Sequence, residues 1–563
     1  MELQTENRPS DNAFFDKIDQ FRILLERLTP FDMSASVVIG VGDEIKWSKV
    51  MGFQHYEHKI EMKETTAMSI GSIAKQVTAV GILQLVDQGL LSLDNPLSTY
   101  FESVPSEKGN ITVHQLLTHI SGFKDGLGDD FDLISRDEFI ETAFSKPLMS
   151  KPSEKFIYSN LGYSMLAIII ELITKKSYQE FVRKDLFFPL GITYISWFGD
   201  PLWNNENSVQ YYVDGVHTGS IGSWNGSWDS NKSYWHILGN GGICISAPDF
   251  FLWMRALIGG KLISRESLDS MFTPGLDNYG YGWVIHHTLY GRMISHNGGS
   301  TLGVNATVRY YENTQTTIII FSNIVDNGFG QAFQLEKALD RILENDSLVM
   351  PPKPTDLLVT DVSKFPEVFE FGESEGKIGT QMVGSYILQL KGQDFSNFIF
   401  DPEKAQSEIY KACNNKVVEF GQYIVSREWD KAFALTLDGT PSANRVGILS
   451  QILDHIHSEF GEIHGVKCLG TIPYANYYAM SLLSIEAENG SLAFPIIWAD
   501  ERKIRGFRPM FTKSLITFRL ISDTDNSIIG YSIDYGISIR LSLQIDNRII
   551  FTNINTGKTL VLN

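Results

Sequence analysis

The chain has 563 residues, of which 43% are hydrophobic and 20% are charged, a composition that is typical of folded proteins and argues against a largely disordered chain. A single hydrophobic core rarely organises so long a chain, so the length predicts two or three domains. Forty-seven basic against 66 acidic residues give a net charge of −19, which disfavours nucleic acid as a partner.

Cysteine content argues against a disulfide-rich or metal-binding protein, and hydropathy argues against a membrane-spanning one. Three widely spaced cysteines provide neither a disulfide framework nor a C-x-x-C metal pair, and we expect no metal and no cofactor. The most apolar run, residues 164–176, is too short to span a bilayer and contains Glu171, which predicts a buried helix and no membrane span. The N-terminus lacks a secretory signal pattern. This predicts a cytoplasmic protein, or a periplasmic or secreted one if a leader has been removed.

Residues 1–345 contain a hairpin pattern, three helical patterns and a late group of strands. The hairpin is predicted in residues 33–53, around a Gly-Asp-Glu turn. The helices are predicted near 72–87, 110–122 and 161–175. Residues 200–235, rich in Trp, Tyr, Asn, Gly and Ser, are predicted to form an irregular lobe or lid. Strands return at 279–287, 292–299, 305–311 and 316–324. This order favours one α+β domain whose sheet takes strands from both chain ends.

A proline-containing linker is predicted at residues 346–360, followed by an accessory region at 361–563. Helical patterns are predicted at 404–436 and 443–459, and a mixture of short strands at 463–505. We expect this α+β piece to extend to about residue 505 and to be followed by a strand-rich, partly closed tail. The accessory region has no motif that we can connect with chemistry.

The spacing S-x-x-K, which can join a serine nucleophile to a lysine base, occurs three times. The three pairs are Ser72/Lys75, Ser121/Lys124 and Ser374/Lys377. The first pair falls at a predicted helix start, where residues i and i+3 share a face and Lys75 can reach Ser72 Oγ. The helix dipole there would help Lys75 to lose its proton, and the Ser72 N–H would be free to bind an oxyanion. Ser121 and Lys124 lie in a Gly-rich loop and are interpreted as turn residues.

The second motif is Y-x-N, formed by Tyr158 and Asn160 before the helix at 161–175. A tyrosine whose pKa is lowered by a nearby lysine can act as a general acid or base, and an asparagine amide can bind that lysine and a substrate carbonyl. Two alternatives stay open, because Ser159 and Asn160 could be helix caps only and because the same spacing recurs elsewhere. The recurrences are Tyr311/Asn313 and Tyr474/Asn476.

The third motif is H-x-G, formed by His296, Asn297 and Gly298 and followed by Gly299 in a predicted strand. A strand that contains glycines can run close to a ligand and offer its N–H groups to it. A rival H-x-G begins at His217, in irregular sequence, so the strand context favours His296.

The order of these motifs resembles the serine β-lactamase/penicillin-binding-protein superfamily, particularly its class C-like, esterase and D-aminopeptidase branch. Six segments of the first 345 residues carry the resemblance: SIGSIAKQVTAVGILQLVDQGLLSLDNPLSTYF, ITVHQLLTHISGF, YSNLGYSMLAIIIELIT, GNGGICISAPDFFLWM, YGYGW and ISHNGG. The resemblance implies an α+β fold, with an antiparallel sheet flanked by helices and an all-helical subdomain, ahead of the β-rich C-terminal region.

The resemblance also implies a role for each matching residue. Ser72 would be the acylated nucleophile, Lys75 and Tyr158 the acid/base pair, the N–H groups of Ser72 and Gly299 the oxyanion hole, and Asn160, His296 and Gly298 contacts to the substrate. His296 stands where β-lactamases and penicillin-binding proteins usually have the lysine of K-T-G. A fixed cation is thereby replaced by an imidazole that is mostly neutral at pH 7, which disfavours strong β-lactamase activity.

We therefore expect a serine hydrolase that acts through a Ser72 acyl-enzyme on a small-molecule or short-peptide ester or amide, as an esterase or D-aminopeptidase does. One alternative is a penicillin-binding D-Ala-D-Ala carboxypeptidase or a weak β-lactamase. The other is a non-catalytic binding or scaffold homologue that kept the fold.

Two residue groups have weaker functional interpretations. His455, His457, His464 and Cys468 could suggest a metal site, but positions i and i+2 of a helix point to different sides, so we expect none. Four tryptophans could wall an apolar substrate pocket or could pack beneath the lobe. They are Trp224, Trp228, Trp235 and Trp283.

Overall fold

A computed structural model describes most of the chain, with gaps. In the first part the described residues are 9–31, 33–128, 130, 132–197, 209–213, 215–220, 234–300, 302–326, 329–344 and 350–351. In the second part they are 365–366, 368–371, 374–382, 385–391, 395, 398–399, 408–436, 439, 443–474, 477–498, 503–507, 516–524, 527–533, 537–544 and 548–562. Most of the predicted linker at 346–360 and of the predicted lobe at 200–235 lies outside the described residues, as do Trp224 and Trp228.

The first part of the chain combines short helices with strands that are distant in sequence. Its strands are β1 (Ala35–Val41), β2 (Glu44–Met51), β3 (Phe53–His55), β4 (Ile60–Glu61), β5 (Met68–Ser69), β6 (Gln210–Val213), β7 (Val216–Ser220), β8 (Cys244–Ile245), β9 (Val284–Thr288), β10 (Gly291–Gly299), β11 (Asn305–Tyr311), β12 (Thr316–Ser322), β13 (Ile324–Asp326) and β14 (Phe329–Gly330). Its helices are α1 (Asp11–Leu28), α2 (Ala74–Asp87), α3 (Ser106–Gly109), α4 (Val113–Leu117), α5 (Arg136–Ser145), α6 (Asn160–Thr174), α7 (Tyr178–Phe181), α8 (Ala247–Ile258), α9 (Arg265–Met271) and α10 (Gln331–Leu343).

A six-stranded antiparallel sheet in the order β2-β1-β12-β11-β10-β9 lies at the centre of this part. β1 pairs with β12, with Ile39 opposite Ile318, so the early hairpin and the late meander meet in one sheet. The predicted α+β fold, an antiparallel sheet flanked by helices, is confirmed. Helices α3 to α7 lie between the two groups of strands in the chain and supply the helical subdomain.

The two faces of the six-stranded sheet pack against different helices. Val38 and Ile319 belong to a core that includes residues of α2, α6 and α8. Val37 and Ile320 belong to a second core, with residues of α1 and α10. Because neighbouring residues of a strand point to opposite faces and both faces are covered, β1 and β12 are apolar along most of their length.

Helix α6 is the apolar run that hydropathy singles out. Residues 161–170 are all buried, and the helix begins where Ser159 Oγ accepts a hydrogen bond from Gly162 N at 3.0 Å. The prediction of a buried core helix with an N-terminal cap is confirmed. Among the described residues, none of the helices has the length and apolarity that a membrane span requires.

The second part of the chain contains two sheets. Its strands are β15 (Val368–Phe371), β16 (Ser374–Met382), β17 (Ser385–Lys391), β18 (Ile463–Tyr474), β19 (Tyr477–Ala487), β20 (Gly490–Trp498), β21 (Ile504–Phe507), β22 (Ile516–Thr524), β23 (Ser527–Ser532), β24 (Ile537–Leu543), β25 (Ile549–Asn553) and β26 (Thr559–Leu562). Its helices are α11 (Glu408–Val425), α12 (Trp429–Ala434) and α13 (Ala443–Phe460). Eight strands form an antiparallel sheet in the order β15-β16-β17-β22-β23-β24-β25-β26, whereas β18 to β21 form a four-stranded sheet.

The α+β piece of this part is inserted into the eight-stranded sheet. The three helices share a core with β19 and β20, and all of these elements lie between β17 and β22 in the chain, although β17 and β22 pair with each other. The sheet nearly closes, because residues of β15 and β26 approach within 8 Å between Cα atoms. The prediction of short strands at 463–505 is wrong, since β18 has 12 residues and β19 has 11.

The second part contacts the first on the α1 and α10 face. Tyr531 is part of the core that contains α1 and α10, with its ring centroid 5.9 Å from that of Phe31. Arg519 of β22 forms a buried ion pair with Asp326 of β13, and Asp326 also accepts a hydrogen bond from Gln331 Nε2 at 2.9 Å. The accessory strands are therefore joined to the first part by both apolar and charged contacts.

Candidate active site

Two glycines, Gly71 and Gly298, allow the Ser72 segment to lie against strand β10. Residues Gly71–Ile73 form a 3-10 turn that leads into α2, and Gly71 has a φ of 51°. A Cβ on Gly71 would lie 2.8 Å from Gly299 N, and a Cβ on Gly298 would lie 2.7 Å from Ser72 N. Only residues without a side chain allow this approach. It brings the backbone N–H groups of Ser72 and Gly299 into one neighbourhood.

The Lys75 ammonium lies among three oxygen atoms. Its Nζ is 3.1 Å from Ser72 Oγ, 2.6 Å from Asn160 Oδ1 and 3.0 Å from the backbone oxygen of Asn240. The two amide oxygens can only accept hydrogen bonds, whereas a serine hydroxyl can also donate one. When Lys75 is neutral, its two N–H bonds therefore serve the amide oxygens and its lone pair faces Ser72. This is the orientation that a general base for the serine requires.

The electrostatic surroundings of Lys75 favour the neutral amine. Its side chain is fully buried, and burial lowers its pKa to about 7, while the charges of Asp125 and Asp130 act in the opposite direction. A lysine with this pKa has a large neutral fraction at physiological pH. After it has accepted a proton, it can also release that proton again.

Tyr158 completes the group of side chains around Ser72. Its ring centroid is 4.7 Å from Lys75 Nζ. Burial of its hydroxyl raises the pKa of Tyr158, and a hydrogen bond with Ser72 only partly opposes this effect. The expectation of a lowered pKa is wrong in its net direction, because desolvation disfavours the phenolate and the charge of Asp125 adds to that effect. Tyr158 is thus a neutral phenol, able to donate a proton.

Asn160 is the first residue of α6 and uses both ends of its side-chain amide. Oδ1 accepts from Lys75 Nζ, and Nδ2 donates to Asp125 Oδ1 at 2.9 Å. Ser159 caps the same helix and donates from Oγ to the Lys124 backbone oxygen at 2.7 Å. Ser159 and Asn160 therefore both act at a helix start, and of these two residues only Asn160 contacts Lys75.

His296 lies on β10 with both ring nitrogens occupied. Nδ1 is 2.6 Å from the backbone oxygen of Asn297, which can only accept, so Nδ1 carries the proton. Nε2 then accepts from the Tyr279 hydroxyl at 2.9 Å. Burial, helped by the charge of Lys75, lowers the pKa of His296 to about 3. The ring is a neutral wall of the site and offers neither a charge nor a spare N–H group.

His119 lies behind the site in a left-handed backbone conformation, with a φ of 57°. Its Nδ1 accepts from Ser159 N at 3.0 Å, and its ring lies 4.3 Å from that of Tyr158 and 4.7 Å from that of Tyr279, between centroids. Burial holds the pKa of His119 well below its usual value, so this imidazole is also neutral. It supports the tyrosines by packing.

Asn240 is the contact to Lys75 that the sequence interpretation missed. Its segment is held by helix side chains, because Thr78 Oγ1 donates to Gly239 O at 2.6 Å and Ser164 Oγ donates to Leu238 O at 2.8 Å. A backbone oxygen gives no residue-type signal. Asn240 lies within the GNGG run, however, and Gly239 has a φ of 84°, so the glycines mark a chain that must pass close to α6.

Tyr279 was missed as well, although it belongs to the YGYGW segment. Its side chain is 3% exposed and its hydroxyl reaches His296. In the same segment, Gly282 has a φ of 76° and packs on the first turn of α2, where a Cβ would lie 2.8 Å from Gln76 N. The segment therefore connects the lysine helix with the wall that carries His296.

The rival motifs lie in other surroundings. Ser121 Oγ accepts from Phe123 N in a loop, and Ser374 and Lys377 lie on strand β16 and not at a helix start. His217 is exposed on β7 and contacts Gln210 at 2.8 Å. The second Y-x-N has Tyr311 in the α1 core, and the third has Asn476, which lies outside the described residues.

The His/Cys group at 455–468 and the tryptophans give no second site among the described residues. Within the described parts of the chain, no cluster of three or more His, Cys, Asp or Glu side chains is arranged to hold a metal ion. Trp235 and Trp283 are buried members of the core around α2 and α6, which agrees with a packing role for these two.

Comparison with known proteins gives matches over this half of the chain and beyond it. A model of the Beta-lactamase family matches residues 33–340. Penicillin-binding protein 4* of Bacillus subtilis (strain 168) is 26% identical over 376 residues, which cover 63% of this chain and 80% of that protein. The putative penicillin-binding protein PbpX of the same strain is 29% identical over 311 residues, which cover 55% of this chain and 75% of PbpX. A solved structure, the octameric penicillin-binding protein homologue from Pyrococcus abyssi, covers 98% of this chain and 100% of its own, with 18% identity and a TM-score of 0.49.

Proposed function

The chain belongs to the Beta-lactamase family, in the superfamily of serine β-lactamases and penicillin-binding proteins, and on this basis we propose that it hydrolyses an ester or amide through an acyl-enzyme on Ser72. The superfamily consists of serine hydrolases. The observation that carries the assignment to Ser72 is the set of three oxygens around Lys75, which directs the lone pair of a neutral lysine to Ser72 Oγ.

In the proposed reaction, Ser72 Oγ attacks the substrate carbonyl while its proton passes to Lys75. The N–H groups of Ser72 and Gly299 hold the oxyanion of the tetrahedral intermediate. Tyr158 gives its proton to the leaving oxygen or nitrogen and takes one back from Lys75, so the leaving group departs neutral. A water molecule then attacks the acyl-enzyme, with Lys75 again neutral and acting as its base, and Ser72 regains its proton.

The substrate is proposed to be a small molecule or short peptide without a carboxylate beside the scissile bond. His296 stands where β-lactamases and penicillin-binding proteins usually have a lysine, and it is neutral and fully hydrogen-bonded, so a carboxylate at that position would lose its hydration without gaining a cation. This favours esters and D-residue amides, the substrates of esterases and D-aminopeptidases, over β-lactams.

Penicillin binding is a second candidate, supported by the names of the two Bacillus relatives. It would use the same serine, with an acyl-enzyme that forms slowly because the carboxylate of penicillin lacks a cationic partner at His296. A D-Ala-D-Ala carboxypeptidase would share this limitation.

Active-site labelling tests the proposal. The full chain would be incubated with a fluorophosphonate probe, nitrophenyl esters, D-amino-acid nitroanilides and a fluorescent penicillin, together with Ser72→Ala and, as a matched control, Ser121→Ala. We expect probe labelling and ester or amide turnover that Ser72→Ala abolishes and Ser121→Ala retains. Labelling that survives Ser72→Ala would contradict the assignment. A wild-type protein that is not labelled by any probe and hydrolyses none of the substrates would be a scaffold. Rapid penicillin labelling without ester or amide turnover would favour the second candidate.

A further inference from the structure

The contacts of Asp125, a residue outside all three motifs, extend the site by one positioning group. We infer that Asp125 fixes the orientation of the Asn160 side-chain amide and thereby directs the lone pair of Lys75 to Ser72. The inference rests on the proposed function, since it assigns Asp125 a part in the acylation of Ser72.

Asp125 is held at the start of α6 by the backbone. Its own backbone oxygen accepts from Leu161 N at 2.9 Å, and its Oδ1 is 3.4 Å from Asn160 N. The same Oδ1 accepts from Asn160 Nδ2 at 2.9 Å. The carboxylate therefore stands at a fixed place beside the Asn160 amide, although the side chain itself is exposed.

An ionised carboxylate can only accept hydrogen bonds, so it selects the NH₂ end of the neighbouring amide. With Nδ2 turned to Asp125, the other end of the Asn160 amide, Oδ1, must face Lys75, where the distance to Nζ is 2.6 Å. Oδ1 takes one N–H bond of the lysine and leaves the lone pair of the neutral amine for Ser72.

Without Asp125 the two orientations of the Asn160 amide become comparable in energy. In the flipped orientation, Nδ2 would donate to the lone pair of neutral Lys75, and that lone pair would no longer be available to the Ser72 hydroxyl. Asp125 also contributes a charge, because it opposes the effect of burial on the pKa of Lys75. Removal of the carboxylate should therefore lower the acylation rate at high pH and also lower the pKa of Lys75, and these two effects can be measured separately.

Two substitutions separate orientation from charge. Asp125→Asn removes the charge, but its Oδ1 can still accept from both Asn160 Nδ2 and Asn160 N, so the orientation is kept. Asp125→Ala removes both. Asp132→Asn is the matched control, since Asp132 is an exposed carboxylate of the same loop and is not among the charges that shift Lys75. For each full-length variant, the rate constant of fluorophosphonate acylation would be measured from pH 5 to pH 9.

We expect Asp125→Ala to lower the high-pH acylation rate about ten- to hundredfold, the loss associated with one hydrogen bond to a charged group. Asp125→Asn should recover that rate to within about threefold, because it restores the acceptor. Both variants should move the low-pH limb of the profile to lower pH, since the ammonium loses a stabilising charge. Asp132→Asn should match the wild type.

The inference is overturned if Asp125→Ala acylates like the wild type, or if Asp125→Asn is as slow as Asp125→Ala. If Asp125→Ala fails to fold by circular dichroism, Asp125→Asn decides alone, and a lost high-pH rate or an unmoved limb would overturn the inference. Failure of the proposed function looks different, because the wild type itself would then not be labelled, or Ser72→Ala would still be labelled.

Discussion

The Ser72 site in the first part of the chain and the eight-stranded sheet in the second part bury different kinds of side chain. In the first part, Lys75, His119 and His296 are buried among amides, hydroxyls and aromatic rings, where burial lowers the pKa of each. In the second part, the core of the eight-stranded sheet is built from aliphatic and aromatic residues such as Ile539 and Phe551. Burial of an ionisable group costs folding free energy, and proteins retain such groups mostly where they perform chemistry.

Because of this difference, we expect substitutions that reduce activity and substitutions that reduce stability to lie at different places in the molecule. Substitution of a buried ionisable group at the Ser72 site should reduce catalysis with little loss of stability. Substitution of an apolar group in the second part should do the reverse. The predictions below test that separation.

The largest effect on activity is expected for Lys75→Met. The base is lost, so acylation of Ser72 should fall by at least about a thousandfold. The free energy of unfolding should stay within about 1 kcal/mol of the wild type, because removal of a desolvated amine offsets the hydrogen bonds lost by Asn160 Oδ1 and the Asn240 backbone oxygen. Probe labelling and urea unfolding of the same preparation would measure both.

Lys108→Met is the matched control, because Lys108 is 2% exposed and donates to the Phe144 backbone oxygen at 2.9 Å and to Glu107 Oε1 at 3.0 Å. This variant should lose stability and keep its labelling rate. A Lys75→Met protein that is destabilised as much as Lys108→Met would contradict the separation of activity from stability.

The largest effect on stability is expected for Phe551→Ala, in β25. Its ring is fully buried and contacts Phe398, with ring centroids 5.4 Å apart, so truncation should destabilise the accessory region by about 3–4 kcal/mol. The activity per folded molecule should change less than about twofold. Thermal unfolding followed by ester turnover at a temperature below the transition would test this. A tenfold loss of activity at full folding would show that the eight-stranded sheet shapes the site.

The pH profile of acylation should show the titration of the Lys75 amine. In the proposed reaction only the neutral amine accepts the Ser72 proton, and burial lowers its pKa to about 7, so the rate should rise as the pH increases through 7. Below about pH 6 it should fall about tenfold per pH unit. His296, with a pKa of about 3, should contribute no limb between pH 5 and pH 9. A limb that follows imidazole titration, and that disappears in His296→Asn, would contradict the neutral role of this residue.

A smaller effect is expected for Tyr279→Phe. Loss of the hydroxyl leaves Nε2 of His296 without its donor, while the Asn297 backbone oxygen keeps the proton on Nδ1. We expect turnover to fall about three- to tenfold, because the strand that carries Gly299 is less firmly held. Nitrogen chemical shifts of the His296 ring would detect the loss of the hydrogen bond at Nε2, which a packing defect elsewhere would not cause. Tyr290→Phe is a control outside the site, since that hydroxyl donates to Leu343.

The sequence predicted the parts of this molecule that depend on local pattern. The β1/β2 hairpin, α6 and its serine cap, and the strands at 291–322 follow from periodicity and from turn residues. The grouping of Ser72, Lys75, Tyr158 and Asn160 was predicted through the resemblance, and the structure brings these four side chains together.

The rest depends on contacts between distant residues, which local pattern does not encode. Asn240 acts through a backbone oxygen, and Asp125 lies in a loop that the sequence suggested was only a turn. The pKa of Tyr158 depends on how deeply its hydroxyl is buried, which requires the tertiary structure. Strand β16 was missed because its sequence is rich in residues of low strand propensity, and pairing with β15 and β17 overrides that preference.

The pairing of β17 with β22 constrains the order in which the chain can fold during synthesis. Leu390 pairs with Ile516, so β15, β16 and β17 leave the ribosome long before their neighbour exists. The first part needs nothing beyond α10, which ends at Leu343, to complete both its sheet and the group around Ser72. The nascent chain would thus carry an assembled Ser72 site beside a three-stranded sheet whose open edge can pair with the wrong strand. In the emerging chain, the strands most exposed to mispairing therefore lie downstream of the residues of the Ser72 site.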